Sequence, residues 1–442
     1  MATAYLSRTA GTPTNSKKNT LSVWVKRSAI STGTFFGGGS DANNMTFINF
    51  DTNERIFIQS STSGSNTLVL TTNRKFRDPS AWMHIVVTTD TTLGTAGDRI
   101  KLYVNGVRET SFSTETQPSQ NYDMEWNKNS QTIEIGKYLF QSGYSQFDGS
   151  MTHFHFIDGT SYDASTFGET DSTSGIWKPK TAPSVTYGNN GFFLKMENSG
   201  AMGTDSSGNS NTFTVNGTLT QNVDTPSNNF ATLNVLQGTI ATGYTIANGN
   251  LSTNGTSSNT WRSLPATLAS SSGKFYWEIK VASFSYAMHF GIQDVDQAVQ
   301  TDNYAYQYSR AYMYLNDGTK NNGGSGSSYG NSWTTNDIIG VALDMDNLKL
   351  YFSKNGVFQN SGDPTSGSTG TGSAFTLTSG YAYTPMFSSH SSSDKYQINF
   401  GQGYFGTTAV ASAGTAPSEG GIFEYNCPSG YQALCTKGIN SF

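Results

Sequence analysis

Two stretches of the chain repeat one alternating pattern. Ile100 to Val107 reads I-K-L-Y-V-N-G-V, and Leu348 to Val357 reads L-K-L-Y-F-S-K-N-G-V. Ile100, Leu102 and Val104 alternate with Lys101 and Tyr103, and Leu348, Leu350 and Phe352 alternate with Lys349 and Tyr351. A period of two places each apolar set on one face of a strand. Each run stops at Asn-Gly (Asn105-Gly106, Asn355-Gly356), a pair that takes positive φ cheaply and makes a tight hairpin turn. Another apolar run precedes each, Trp82 to Thr88 and Ile338 to Leu343. The pattern therefore predicts two all-β units. Short strands at regular spacing fill in the rest. They run from Leu21 to Val25, Met45 to Phe50, Arg55 to Gln59 and Thr67 to Leu70 in the first unit. In the second they run from Gly273 to Val281 and Met288 to Gln293. Each unit reads as an antiparallel β-sandwich.

Composition sharpens this picture. A chain of 442 residues is too long for one core and suits two domains. Charge is sparse at 13%, glycine is abundant at 47 residues, and no long stretch has helical periodicity. Net charge is 26 − 31 = −5 with no basic block, so nucleic acid is not an expected partner. The short run Arg74-Lys75-Phe76-Arg77 is followed by Asp78-Pro79 and reads as a solvated loop. No stretch is apolar enough to span a bilayer, and Met1 to Arg8 has no signal core. The expectation is a protein made in the cytoplasm without a secretory address or membrane insertion. Cys427 and Cys435 are too few for a disulfide framework, and reduced thiols or one local bridge are expected.

The ordered motifs W-M-H-I-V-V-T, L-Y-V-N-G-V, I-G-K and F-D-G-S-M-T-H-F-H-F span roughly the first 160 residues. Together they resemble the laminin G-like, concanavalin A-like sandwich. The later set is F-Y-W-E-I-K-V, F-G-I, D-I-I-G-V-A-L-D-M-D, L-Y-F-S-K-N-G-V, Y-T-P-M-F and I-N-F-G-Q. It resembles a SPRY domain, which implies a second concanavalin A-like sandwich acting as a binding module. The fold class expected is thus all-β, two concanavalin A-like antiparallel β-sandwiches (jelly-roll type) in tandem. Residues 1–217 form the first, with Gly191 to Val215 closing it beside the Leu21 strand. Residues 218–238 are a linker, polar around Asp224-Thr-Pro-Ser-Asn-Asn, 239–406 form the SPRY-like unit, and 407–442 are a C-terminal tail.

The whole layout, including D-S-S-G-N, T-P-S-N-N-F-A-T-L-N and Y-N-C-P-S-G-Y-Q-A-L, resembles large structural proteins of tailed bacteriophages. That resemblance implies a virion protein, oligomeric on the particle and bound to other virion proteins. A tail fibre or adhesin contacting host-surface glycan or receptor is the first functional reading. A capsid decoration or tail-structural protein is the second.

Candidate chemistry is thin. Glycosidases on such sandwiches carry closely spaced acids, because hydrolysis needs an acid and a base or nucleophile across the bond. Glu278 stands alone in its strand, and Asp344 and Asp346 read as an acidic turn, so a glycan hydrolase is a weak alternative and no enzyme is expected. His153 and His155 alternate with Phe154 and Phe156 and read as a solvated strand face. Laminin G-like domains sometimes hold calcium at a loop edge. Asp41, Asn43, Asn44 and Asp148 offer the oxygen donors that a hard cation takes. No other cofactor is expected. Tyr304, Tyr306, Tyr308, Tyr312 and Tyr314, with Arg310, lie in one segment between core strands. Tyrosine brings rigid contact area and a polar tip, which makes this segment the candidate ligand-binding surface.

Overall fold

A computed structural model describes residues 4–138, 140, 146–236, 244–256, 260–297 and 305–442. The chain divides into two units, Met1–Gln221 and Asn222–Phe442. Within the described residues, twelve strands frame the first unit. They are β1 (Tyr5–Thr9), β2 (Lys18–Arg27), β3 (Gly33–Asp41), β4 (Asn44–Phe50), β5 (Arg55–Thr62), β6 (Ser65–Lys75), β7 (Met83–Asp90), β8 (Ile100–Val104), β9 (Val107–Arg108), β10 (Phe112–Thr116), β11 (Thr132–Ile135) and β12 (Gly149–Asp158). Four short strands follow, β13 (Gly168–Thr170), β14 (Trp177–Pro179), β15 (Phe192–Leu194) and β16 (Thr214–Asn216).

One sheet runs β10-β6-β5-β4-β3-β11-β1-β16 and faces a second that runs β15-β12-β2-β7-β8-β9. Leu21, Val23 and Val25 of β2 and Ile100, Leu102 and Val104 of β8 enter the core between them, as the alternation predicts. The segment from 191 to 216 closes both sheets at their edges. Phe192–Leu194 pairs with β12 rather than with the Leu21 strand, which β12 separates from it, and Thr214–Asn216 pairs with β1.

The second unit repeats this frame. β17 (Tyr244–Ala247) and β18 (Ser252–Thr256) lead into β19 (Arg262–Pro265), β20 (Lys274–Ser283), β21 (Met288–Asp294), β22 (Ala311–Leu315), β23 (Thr319–Asn322) and β24 (Ser325–Ser328). β25 (Ile338–Asp344), β26 (Lys349–Lys354), β27 (Val357–Phe358), β28 (Phe375–Thr376), β29 (Tyr383–Ser389) and β30 (Lys395–Asn399) complete it. Its sheets run β17-β18-β30-β20-β25-β26-β27 and β19-β29-β21-β22-β23-β24. β2 lies between β12 and β7, and β20 between β30 and β25. β3 lies between β11 and β4, and β21 between β29 and β22. The two units share this central strand order.

The repeated hairpins close alike. Asn105 and Asn355 take φ of 50° each, and Gly106 and Gly356 take 79° and 81°, the left-handed pair of a two-residue turn. Each Asn side chain also accepts a backbone N–H at the start of the preceding strand, from His84 or Ile338, at 2.8 Å. Each Gly meets an aromatic ring. A Cβ would come within 2.7 Å of Trp177 at Gly106 and within 2.5 Å of Tyr425 at Gly356.

Those two rings belong to straps that cover the outer face of a sheet. In the first unit, residues 160–187 cross β2, β7 and β12. Trp177 Nε1–H donates to His84 Nδ1 at 3.0 Å, so Nε2 carries the imidazole proton and donates to Ser22 Oγ at 2.8 Å. His155 is also buried here, 3.9 Å from the Phe193 ring centroid, with Nδ1 2.9 Å from the Tyr187 hydroxyl. The expected solvated histidine face is thus a covered one. A bulge at His153 (φ 47°) shifts the register of β12 while Phe154 and Phe156 keep their core positions.

In the second unit the strap is the chain beyond 404. It is no loose tail: Phe423, Cys427, Tyr431, Ala433 and Cys435 pack with Tyr276, Tyr351 and Phe230 in a separate apolar cluster. Both cysteines are free and buried. The stretch read as a linker belongs to this unit from Asp224 onward. Phe230, Ala231 and Leu233 are buried in it, and Ala231 N–H donates to Leu434 O at 2.9 Å.

Candidate binding face

Five rings form a row over the outer face of the β19-β29-β21-β22 sheet. Tyr286 lies 4.5 Å from His390, centroid to centroid, and His390 lies 5.4 Å from Trp261. Trp261 stacks on His289 at 4.4 Å, and His289 lies 5.1 Å from Tyr306. His289 points outward because Met288, Phe290 and Ile292, its alternate neighbours on β21, fill the core. Burial pushes the His289 imidazole down to about 3, so this ring is neutral at ordinary pH. Tyr286 is 64% exposed and forms the open end of the row.

One buried carboxylate holds that end in place. Asp394 Oδ1 accepts the N–H groups of Ser285 and Tyr286 at 2.7 and 3.1 Å. Its Oδ2 accepts those of Ala287 and Ser391 at 3.2 and 3.0 Å. The loop carrying Tyr286 and the loop following His390 are thereby tied to one anchor, and His390 N–H closes the link on Ala287 O. Charge-assisted bonds of this type fix geometry well.

The structure redistributes the tyrosine segment. Tyr304 lies outside the described residues. Tyr306 joins the row, and Tyr308 is half-buried in the turn leading into β22. Tyr312 and Tyr314 are core residues, which corrects their reading as surface contacts. They share the inward face of β22, while Met313 and Leu315 take the outward one. Arg310 is engaged at home: its Nε donates to Asp294 Oδ2 at 2.5 Å and its guanidinium lies 4.5 Å from the Tyr381 ring. Sequence reading missed Tyr286, Trp261, His289, His390 and Asp394. Only the aromatic character of the four rings was visible, since the fold gathers these residues from three separated segments.

The calcium candidates do not converge on a shared set of contacts. Asp41 Oδ1 accepts the N–H groups of Asn43 and Asn44, and the Asn44 amide donates to both carboxylate oxygens at 3.1 Å. These hydrogen bonds, the Asn44 amide first, lower the Asp41 carboxyl below its ordinary value. Asp148 lies in the chain segment before β12, where burial raises its carboxyl. Among the described residues, no three His, Cys, Asp or Glu side chains are grouped to hold a metal.

The acids weighed for hydrolysis serve the fold. Glu278 is buried on the outer face of β20 and accepts the N–H groups of Glu424 and Tyr425 at 2.8 Å each, holding the second strap. Burial raises its carboxyl to about 7 against the donors around it. Asp344 pairs with Lys274 at 2.9 Å, and Asp346 accepts Gly273 N–H at 2.7 Å.

Comparison with known families places two domains on this chain. The family described as the Concanavalin A-like lectin/glucanases superfamily (Laminin_G_3) matches residues 2–164, and the SPRY domain family matches residues 274–403. Similar solved structures include the SPRY domain of human HERC1, with 18% identity over 38% of this chain and 96% of that one, at a TM-score of 0.31. A human SPRY domain has 15% identity over 35% and 94%, at 0.28. A heptameric SAP-like pentraxin from Limulus polyphemus has 14% identity over 36% and 71%, at 0.27. Comparison with curated proteins gives no match. The chain thus carries a concanavalin A-like domain of the laminin G type followed by a SPRY domain.

Proposed function

We propose that this is a non-enzymatic virion protein of a tailed phage, a tail fibre or adhesin component that grips a host-surface glycan or protein. The observation that carries the binding role is the five-ring row with its exposed end pinned by Asp394. Stacked rings edged by tyrosine and histidine polar atoms suit the apolar face and hydroxyl rim of a sugar, or an aromatic-rich protein surface. The virion assignment rests on the resemblance of the chain's layout to phage structural proteins. Purified protein is expected to block adsorption of the phage to its host, and Tyr286→Ala with Trp261→Ala to abolish the block. Full adsorption at saturating protein would refute the reading.

A decoration or tail-structural role has its own support. Val107 and Val357 stand 70% and 68% exposed just past the two equivalent Asn-Gly turns. Apolar tips of this kind suit contact with other virion subunits. Gold-labelled antibody on the head rather than the tail would favour this second reading.

A further inference from the structure

Three of the chain's five histidines meet under the first strap. His84 on β7 and His155 on β12 flank β2, where Trp24 stands opposite His84 and Ser22 opposite His155. Both imidazoles are buried, and His153 is half-buried at the bulge of β12. Residues 160–187 cover all of this. Trp177 bonds to His84, Tyr187 bonds to His155, and the Phe167 ring lies 5.2 Å from His155.

The tie at His84 works in one protonation state only. An indole N–H donates and cannot accept, so His84 Nδ1 must offer Trp177 a lone pair. Nε2–H is already spent on Ser22, so a second proton can go only to Nδ1, where it faces the Trp177 N–H. The Tyr187 hydroxyl can turn to accept, but a proton on His155 still puts a cation among the Phe193, Phe167 and Tyr187 rings. Among the described residues, no carboxylate is bonded to any of the three imidazoles. The strap's charges are engaged elsewhere. Asp171 and Glu169 pair with Lys178, Asp163 accepts Ser165 N–H, and Lys180 donates to Ser165 O. On the sheet, β2 adds Lys26, and β8 adds Tyr103 and Lys101, the latter 3.4 Å from Asp98. Through space, Glu197 favours and Lys195 opposes a proton on His153, and His153 opposes one on the other two.

We propose that residues 160–187 form an acid-released cover: protons taken up by His84 and His155 free it and bare the outer face of β12, β2 and β7, with Trp24 and Phe193 on it. Burial comes first in lowering both imidazoles, that of His84 to about 3. The covered form therefore refuses protons that the released form takes below about 6.5. The cover is firmest above that pH and loosens as pH falls. His84 alone raises the ratio of released to covered chains about 25-fold between pH 7 and 5, and His155 multiplies it. The second unit's strap has the opposite sense. Glu278 holds it through the N–H groups of Glu424 and Tyr425, with the Tyr276 hydroxyl and Asn399 amide also donating. Burial raises this carboxyl from 4.5 to about 7, so the closed form gains as pH falls from 7 toward 4.5.

Hydrogen exchange of the full chain at pH 7 and pH 5, corrected for intrinsic rates, reads both straps in one sample. Protection across 160–187 is expected to fall at least tenfold at pH 5 and to return at pH 7. Protection across 423–436 is expected to hold or rise, and the core of β2 to stay closed. His84→Gln keeps an acceptor for Trp177 and a donor for Ser22 without titrating, and His155→Gln removes the second ionisable ring. The double variant is expected to lose the acid response. A first strap unchanged at pH 5, an equal loss in both straps or in β2, or an acid response that survives in the double variant would each overturn the proposal. If the double variant is already open at pH 7, the contrast between the parent's two straps decides alone.

Discussion

Asp394 and His84 show how much hangs on single side chains. Asp394 gathers N–H groups from two loops that are far apart in sequence. Asp394→Asn places an NH2 where one set of donors points. It is expected to cost about 1–3 kcal/mol in the second unit and to weaken ligand binding as much as Tyr286→Ala does, measured by calorimetry on both variants. His84 is held neutral, its imidazole lowered to about 3 by burial first and His153 second. The unfolded chain takes up that proton below about 6.5 while the folded chain does not until about 3. The stability due to neutral His84 is therefore full above pH 6.5 and falls as pH drops toward 3, by roughly 1.4 kcal/mol per unit. Unfolding of His84→Gln, followed between pH 7 and 4, is expected to show a shallower fall than the parent. An equal fall would show that His84 does not carry the effect.

At the scale of elements, the hairpins and the inward faces of β2, β8 and β26 were legible because a two-residue period needs no knowledge of neighbours. The period says that Tyr312 and Tyr314 share a face, but not which side of β22 meets the core. His155 escaped for a different reason, because the covering strap arrives from residues 160–187, whose own pattern is too irregular to place. The ring row was invisible in sequence, since Trp261, Tyr286, His289 and His390 meet only through strand pairing. The straps give a sharp test. Gly106→Ala adds strain at φ 79° and strikes the Trp177 ring. It is expected to destabilise the first unit by more than about 1 kcal/mol. In the Gly106→Ala, Trp177→Ala pair the clash disappears, and a coupling of about 0.5–3 kcal/mol should appear in the double-mutant cycle. Strict additivity would mean that the ring does not brace the turn.

At the scale of the molecule, the boundary drawn from composition fell too late and too early. Polar residues around Asp224 look like a connector, yet Phe230 and Leu233 among them are buried in the second unit. The stretch after 406 looks like a tail, yet it supplies most of that unit's outer cluster. A fragment of residues 222–442 is expected to unfold in one cooperative transition. A fragment of 239–406, which strips Tyr276, Tyr351 and Glu278 of their cover, is expected to be aggregation-prone and to bind hydrophobic dye. A cooperative melt from the shorter fragment would show that the strap and lead-in are accessory.

The second unit begins and finishes side by side. Ala231 N–H reaches Leu434 O, and Thr436 N–H reaches Asn229 O, as antiparallel neighbours. Tension applied through residues 222 and 442 therefore meets these bonds singly, like the teeth of a zipper, rather than all together as in a sheared sheet. Under a pull along the chain, this seam is the first part to open. It lets out slack and uncovers Tyr276 and Glu278 while the sandwich beneath still holds.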